Sequence, residues 1–196
     1  MKNSIPLVIF AGGKSSRMKE DKSLLPFSSY PTLTQYQIER FKPYFKDIYI
    51  SCKDQNKFDF DAKFIEDFTD KESSPFVGLI SVFEELKSEY VFVLSVDTPF
   101  FTYDDFLQLE KNINDYDCIV PKTKRSYQPL CSIYKKDILP ILKELYEKKL
   151  YKFSFLYDKI KVKYVLFDNE TSFDNLNYQK DYKDALKRIE NEKISY

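Results

Sequence analysis

Histidine and tryptophan are absent from this chain of 196 residues, and glycine occurs only three times. The lack of histidine excludes Ser-His-Asp and Cys-His nucleophile systems, histidine metal sites and histidine general bases. Any catalysis must therefore come from carboxylates, lysine, arginine, backbone amides and a hard cation.

Cysteine is also scarce. The three cysteines, Cys52, Cys118 and Cys131, are odd in number and form no CxxC pair, so they suggest neither a zinc site nor a disulfide scaffold. Buried, reduced thiols in the cytoplasm are the simpler interpretation. No segment reaches the roughly 20 apolar residues needed to span a bilayer. We therefore expect a cytoplasmic protein without membrane partners.

Neither sign of charge predominates, because 31 Lys and Arg residues balance 31 Asp and Glu residues. A neutral total argues against nucleic acid as a partner. Hydrophobic residues make up 43% of the chain, which is too many for a disordered protein. A chain of this length can bury a real core, and we expect residues 1–196 to form one domain.

Strand-like and helix-like segments alternate along the chain. Short apolar runs predict strands at residues 5–10, 47–51, 63–65, 90–96, 118–121, 130–134 and 162–167. Helical spacing predicts helices at residues 32–41, 76–86, 102–113 and 138–146, and a final helix capped by Asn177. Such alternation predicts a layered α/β domain with a mainly parallel sheet.

Two of the glycines stand together, at Gly12 and Gly13, directly after the first predicted strand. The Rossmann pattern G-x-G-x-x-G does not fit them, and a Walker A loop would need glycine where Val8 stands. Bare amides at a glycine turn, followed by the basic side chains of Arg17 and Lys22, still suit a polyphosphate. The alternative is a solvated, flexible turn.

Asp97 follows the longest apolar strand, and a carboxylate at the end of a buried strand is unfavourable unless it is paired. Mg²⁺ is usually bound by one or two carboxylates together with substrate phosphates, so Asp97 suits that role. The alternative is a turn in which the Asp97 side chain bonds the backbone ahead of Pro99. Gly78, the third glycine, lies near a helix start, where close packing is the favoured interpretation.

These motifs together resemble the MobA-type nucleotidyltransferases, a family that attaches guanosine monophosphate to the molybdenum cofactor. The similar segments, in chain order, are residues 11–18, 21–22, 24–26, 66–67, 75–78, 97–99, 128–129 and 175–177. They cover most of the chain. The resemblance implies a three-layer, Rossmann-like nucleotidyltransferase fold, similar to glycosyltransferase A, with a mostly parallel sheet. It also implies an N-terminal nucleotide-binding part and a C-terminal pterin-binding part.

The resemblance implies a role for each matching position. Arg17, Lys22 and Asp97 would be catalytic, with the two basic side chains on the triphosphate and Asp97 on Mg²⁺. The nucleotide would also contact Ala11, Gly12, Gly13, Ser51 and Asp67, and the pterin substrate would contact Asn175 and Asn177.

The chain departs from the family pattern at several positions. Phe10 stands where leucine is usual, Lys19 where glycine is common, and Ser51 where some relatives have an amide side chain. The glycine pair resembles the form of this motif that selects guanine, because relatives that use CTP tend to carry alanine at the position of Gly12.

The implied reaction transfers GMP from GTP to the terminal phosphate of molybdopterin and releases pyrophosphate. A phosphate nucleophile is already ionised at neutral pH, which agrees with the absence of histidine. The implied partners are GTP and molybdopterin, with other cofactor-biosynthesis proteins and molybdoenzyme chaperones as further candidates. A CTP-dependent cofactor enzyme or a sugar-phosphate nucleotidyltransferase of the same fold, and a non-catalytic nucleotide-binding module, remain as alternatives.

Overall fold

Strands and helices alternate along the part of the chain that the computed structural model describes, residues 2–12, 20–69, 71 and 74–194. The strands are β1 (Leu7–Phe10), β2 (Ile48–Cys52), β3 (Lys63–Glu66), β4 (Tyr90–Ser95), β5 (Cys118–Lys122), β6 (Cys131–Lys135) and β7 (Val162–Leu166). The helices are α1 (Leu33–Phe41), α2 (Pro75–Glu85), α3 (Tyr103–Glu110), α4 (Leu139–Glu147), α5 (Phe153–Tyr157) and α6 (Gln179–Ile194).

The strands of the described residues form one sheet in the order β3-β2-β1-β4-β6-β5-β7. Strand β1 pairs in parallel with β2 and β4, β2 pairs in parallel with β3, and β5 pairs in parallel with β7. Strand β6 runs antiparallel to both of its neighbours. The predicted, mostly parallel sheet is confirmed.

Helices cover both faces of this sheet. On β1, Leu7 and Ile9 pack into one core with α1, α3 and α6, whereas Val8 and Phe10 pack into a second core with α2 and α4. This division follows from strand geometry, because successive side chains point to opposite faces. The three-layer α/β fold is therefore as the sequence predicted.

Helix starts follow the local capping chemistry. Thr32 caps α1 by accepting a hydrogen bond from the Gln35 N–H at 3.0 Å. At α3, Thr102 and Asp105 form a capping box in which each side chain accepts from the other residue's backbone N–H. These two helix starts agree with the sequence prediction.

Two helical features differ from the prediction. The single-turn helix α5 was not predicted, because a five-residue segment is too short to show helical periodicity. The prediction that Asn177 caps the final helix was wrong. Helix α6 begins at Gln179, and the Asp181 carboxylate accepts the N–H groups of Asn177 and Tyr178 at 3.0 and 2.8 Å.

All three cysteines are buried and unpaired, as the sequence predicted. Burial raises the pKa of Cys52 and of Cys131 to about 12, so both thiols stay protonated at neutral pH. Within the described ranges, no helix combines the length and apolar character needed to cross a membrane.

Strands β1 to β4 run parallel to one another, so their carboxyl ends lie at the same edge of the sheet. The chain winds outward from β1 through β2 to β3 and then returns to β4, on the other side of β1. The carboxyl ends of β1 and β4 therefore flank a topological switch point. Open α/β sheets bind their ligands in the crevice at such a point.

Candidate functional site

Three polar side chains meet at the crevice between β1 and β4. Lys22 Nζ donates hydrogen bonds to Asp97 Oδ2 at 3.0 Å and to Asn177 Oδ1 at 3.1 Å. The partners lie 75 and 155 residues further along the chain, at the end of β4 and before α6. Folding thus brings together a cation and a carboxylate that the sequence analysis assigned to the nucleotide and an amide that it assigned to the pterin substrate.

Asp97 is held through both of its carboxylate oxygens. Ser95 Oγ donates to Oδ1 at 2.6 Å, and Lys22 Nζ donates to Oδ2. No backbone N–H of the described residues donates to this carboxylate, so the alternative interpretation of a side-chain-to-backbone turn was wrong. The side chain is one-fifth exposed and can be reached from the crevice.

The segment before α6 docks on the turn after β4. The Leu176 N–H donates to the Asp97 carbonyl oxygen at 3.0 Å, and Thr98 Oγ1 donates to Asn175 Oδ1 at 2.8 Å. Asn175 therefore contacts the turn at Thr98, whereas Asn177 accepts a hydrogen bond from Lys22, the partner of Asp97.

A cavity of about 480 Å³ opens beside the two asparagines, between α6 and the turn after β5. A second cavity of about 200 Å³ lies against Asp97 and Thr98. Gln128 and Asn175 line both cavities, so the larger space continues toward Asp97. This arrangement can hold a second substrate next to the Lys22–Asp97 pair.

The larger cavity carries charges of both signs. Arg125 Nε contacts Glu170 Oε2 at 2.8 Å, and the Arg188 guanidinium lies over the Phe100 ring, 3.8 Å from its centroid. The Arg125 side chain is 77% exposed, so this arginine lines the cavity from its solvent-exposed side.

The glycine turn begins at the end of β1. The Ala11 N–H donates to the Ser51 carbonyl oxygen at 2.9 Å, which aligns this end with β2. Gly12 is exposed, and a Cβ added to it would lie 3.9 Å from the Cys52 Cα, the nearest described atom. Packing among the described residues therefore does not require glycine at position 12. Gly13 and Arg17 lie outside the described residues.

Gly78 has a packing role, as the sequence predicted. A Cβ added there would lie 2.9 Å from Phe10 Cε2 and 3.1 Å from Ser51 Oγ. Helix α2 crosses the ends of β1 and β2 at this point. Ser51 is buried beneath the helix, and its contact with a nucleotide stays a prediction.

Asp67 follows β3 at the same edge of the sheet. Its N–H donates to the Cys52 carbonyl oxygen at 2.9 Å. Partial burial raises the pKa of its carboxyl to about 6, although nearby Lys53 opposes the shift. The carboxylate accepts no hydrogen bond within the described ranges, and so it can accept one from a ligand.

Lys57 is the site residue that sequence reasoning missed. Its Nζ donates to the Ala11 carbonyl oxygen at 2.9 Å, to Asp21 Oδ2 at 2.7 Å and to Ser23 Oγ at 3.0 Å. Nothing in the sequence distinguishes this lysine from the others, because it belongs to no motif. Its side chain is 23% exposed, on a 3₁₀ turn (Gln55–Lys57) that follows β2.

The fold and the crevice at its switch point place the protein among the α/β nucleotidyltransferases. The model of the MobA-like NTP transferase domain matches residues 7–160, and the chain belongs to this family.

Relatives and solved structures agree with this assignment. A protein of Campylobacter jejuni subsp. doylei named molybdenum cofactor guanylyltransferase is 40% identical over 185 residues, covering 92% of this chain and 94% of that protein. One of the same name from Helicobacter pylori is 31% identical, covering 94% and 89%. The crystal structure of molybdopterin-guanine dinucleotide biosynthesis protein A from Archaeoglobus fulgidus has a TM-score of 0.81 at 20% identity, covering 95% of this chain and all of that one. This last likeness shows the fold.

Proposed function

We propose that this protein transfers GMP from GTP to the terminal phosphate of molybdopterin and releases pyrophosphate. The observation that carries the proposal is the meeting of Lys22, Asp97 and Asn177 at the switch-point crevice. The name shared by the 40% and 31% identical relatives supports the choice of substrates. A cytoplasmic location and an organisation as one domain, with an N-terminal nucleotide part and a C-terminal pterin part, belong to the same proposal.

GTP would lie across the carboxyl ends of β1, β2 and β3. Exposed Gly12 lets phosphate oxygens approach the backbone N–H groups closely, because no Cβ stands in the way. Lys22 would neutralise the triphosphate from the β4 side. Asp67 would accept from the nucleoside on the β3 side, where no described residue donates a hydrogen bond to its carboxylate.

Molybdopterin would occupy the larger cavity and extend its phosphate toward Asp97. Asn175 and Asn177 stand where the cavity meets the crevice, and an amide side chain can donate to a phosphate or a pterin oxygen. The acceptor phosphate would then lie beside the Lys22 ammonium. Holding the two phosphates together supplies proximity, which can lower the barrier by about 7–11 kcal/mol for well-aligned groups.

The residues present fit a magnesium ion. Asp97 offers a partly exposed carboxylate. Within the ranges described, no group of three or more His, Cys, Asp or Glu residues could hold a metal without the substrate, so substrate phosphates would have to supply the other ligands. One carboxylate supplemented by substrate phosphates is the usual way in which Mg²⁺ is held at such sites. When bound, Mg²⁺ supplies positive charge against the reacting phosphate oxygens.

The transfer needs no proton to be removed by the protein. An oxygen of the acceptor phosphate attacks the α-phosphorus of GTP, a new P–O bond forms, and the bond to the β-phosphate oxygen breaks. The electron pair of that bond leaves with pyrophosphate. Because the second pKa of a phosphate monoester is about 6, the attacking oxygen is ionised at neutral pH. Lys22 would stabilise the charge that develops on the leaving group.

The test combines ligand binding with turnover. We expect GTP with Mg²⁺ to raise the thermal midpoint more than CTP or ATP does, because a ligand that binds only the folded state stabilises it. We then expect pyrophosphate release only when molybdopterin is added. A preference for CTP would indicate a CTP-dependent nucleotidyltransferase of the same fold. Binding of GTP without pyrophosphate release would favour a non-catalytic nucleotide-binding module.

A further inference from the structure

The Lys57 ammonium joins the two ends of the segment that contains the glycine pair. On one side it donates to the carbonyl oxygen of Ala11, which ends the β1 segment. On the other side it donates to Asp21 and Ser23, which flank Lys22 in the next turn. An ammonium group has three N–H donors, and these three contacts use all of them. Lys57 is therefore committed to protein acceptors, whereas Lys22 faces Asp97.

The turn that carries Lys22 has its own local hydrogen bonds. Asp21 Oδ1 accepts from the Ser23 N–H at 3.0 Å and from Ser23 Oγ at 2.7 Å, and Thr34 Oγ1 donates to the Ser23 carbonyl oxygen at 2.8 Å. These contacts keep the turn formed without Lys57. What Lys57 adds is the attachment of this turn to the end of β1.

Asp21 also needs a counter-charge at this place. Its burial opposes ionisation, but the hydrogen bonds from Lys57 and Ser23 outweigh burial and hold the pKa of the Asp21 carboxyl below its ordinary value. The carboxylate is therefore ionised at neutral pH, one residue away from Lys22. Without Lys57, its negative charge would be uncompensated beside the predicted triphosphate site, and like charges repel.

We propose that Lys57 is a positioning residue for the nucleotide site: its ammonium fixes the Lys22-bearing turn to the end of β1 and neutralises Asp21, so that a nucleoside triphosphate meets the Lys22 cation. The inference rests on the proposed function for the identity of the ligand. It does not depend on transfer chemistry, because the consequence is expressed in binding.

The experiment measures GTP·Mg²⁺ binding by calorimetry and the ligand-free thermal midpoint for the wild type and its variants. Lys57→Met keeps the length of the side chain and removes the charge. Asp21→Asn and the double variant Lys57→Met/Asp21→Asn separate charge compensation from attachment. Lys63→Met is the matched control, because Lys63 forms an exposed ion pair with Asp47 at the far edge of the sheet.

We expect Lys57→Met to raise the Kd for GTP about tenfold or more, measured at a temperature where the variant is fully folded. Its thermal midpoint should also fall further than that of Lys63→Met, because the substitution leaves the partly buried Asp21 carboxylate without its counter-charge. In the double variant, removal of the uncompensated carboxylate should recover part of the lost affinity. Lys57→Arg should give an intermediate Kd, because guanidinium keeps the charge but its planar fork cannot reproduce the three contacts. A steady-state assay should show a higher KM for GTP and a lower kcat.

Two results would overturn the inference. One is a Lys57→Met variant that binds GTP as the wild type does. The other is a loss of binding that merely follows the folded fraction, with an unchanged KM and no recovery in the double variant. If the wild type binds CTP instead of GTP, the proposed guanylyl function fails, and the same comparison made with CTP still decides the role of Lys57.

Discussion

Lys22 Nζ lies 3.0 Å from Asp97 Oδ2, and the two side chains are only 15% and 20% exposed. Solvent screens such a pair less than it screens a surface ion pair. Each group is nevertheless reachable from the crevice, and each has chemistry that suits a triphosphate: an ammonium for the phosphate oxygens and a carboxylate for a cation. The pair therefore fixes the meeting point of the two substrates in the proposed reaction.

Replacing Asp97 with asparagine should abolish most turnover. The Asp97→Asn substitution keeps the shape of the side chain but removes the charge that a magnesium ion and Lys22 need. We expect the rate of pyrophosphate release to fall by roughly 10²-fold or more, which corresponds to about 3 kcal/mol of transition-state stabilisation. The effect of Mg²⁺ on GTP-induced thermal stabilisation should disappear. The exposed Asp59 provides the control, because Asp59→Asn should leave both measurements unchanged. Near-normal turnover of Asp97→Asn would contradict the metal assignment.

Position 12 should tolerate a side chain in folding but not in binding. A Cβ at Gly12 meets no described atom closer than 3.9 Å, so Gly12→Val should leave the thermal midpoint nearly unchanged. Binding of GTP should be lost, because a branched side chain would occupy the space through which phosphate oxygens approach the backbone. A melting curve checks the thermal midpoint of the variant, and calorimetric titration checks its binding of GTP. Retained GTP binding would show that glycine serves only a turn at this position.

Gly78 should give the opposite result. A Cβ at position 78 would lie 2.9 Å from Phe10 Cε2, so Gly78→Ala should lower the free energy of unfolding by about 1–3 kcal/mol through overpacking. Because leucine is smaller than phenylalanine, Phe10→Leu should make room for the new methyl group. Denaturant unfolding of the two single variants and the double variant should therefore show favourable coupling between them. Strict additivity would mean that the backbone of α2 moves instead.

Asp67 should give nucleotide binding a pH dependence. Partial burial raises its carboxyl pKa to about 6 in the folded protein, against 3.8 for the unperturbed group. The folded state thus holds the proton that the unfolded state releases, so stability falls as pH rises from 3.8 to about 6. Asp67→Asn should therefore stabilise the protein at pH 7, by about 1 kcal/mol after allowance for solvent screening.

The affinity for GTP should change with pH in the direction opposite to the stability, because of the same Asp67 carboxyl group. Only the ionised Asp67 can accept hydrogen bonds from the nucleoside through both oxygens. The affinity for GTP should therefore rise between pH 5 and 7, and this rise should shrink in Asp67→Asn, which also controls for titration of the GTP phosphate. Equal pH profiles for the two proteins would remove Asp67 from the nucleotide site.

The sequence predicted the layered fold because buried parallel strands appear as continuous apolar runs, and the run that ends at Ser95 is an example. Lys22 and Asp97 were predicted because each belongs to a motif next to a strand end. The prediction that Asn177 caps the final helix was wrong, because asparagine is both a common cap and a good partner for a lysine. Which role it takes depends on where Lys22 and Asp181 lie in the folded chain.

Lys57 could not be predicted for a related reason. Its partners Ala11 and Asp21 lie 46 and 36 residues away. No feature of the neighbouring sequence identifies a lysine that will donate three hydrogen bonds to distant residues. The short helix α5 escaped prediction because its stability comes from tertiary packing of Leu156 rather than from periodicity. Motif residues at strand ends were therefore accessible from the sequence, whereas contacts that depend on long-range folding were not.

Asn175 and Asn177 should affect the two substrates differently. Asn175 contacts Thr98 and lines both cavities but does not reach Lys22, whereas Asn177 accepts from Lys22 Nζ at 3.1 Å. Asn175→Ala should therefore raise the KM for molybdopterin about tenfold and leave the Kd for GTP unchanged, since a lost hydrogen bond to a charged group costs about 1.5 kcal/mol or more. Asn177→Ala should weaken both, because Lys22 loses one of the groups that orient it. Two-substrate kinetics, together with GTP titration of each variant, make the comparison. A GTP defect in Asn175→Ala equal to that in Asn177→Ala would contradict the division into an N-terminal nucleotide part and a C-terminal pterin part.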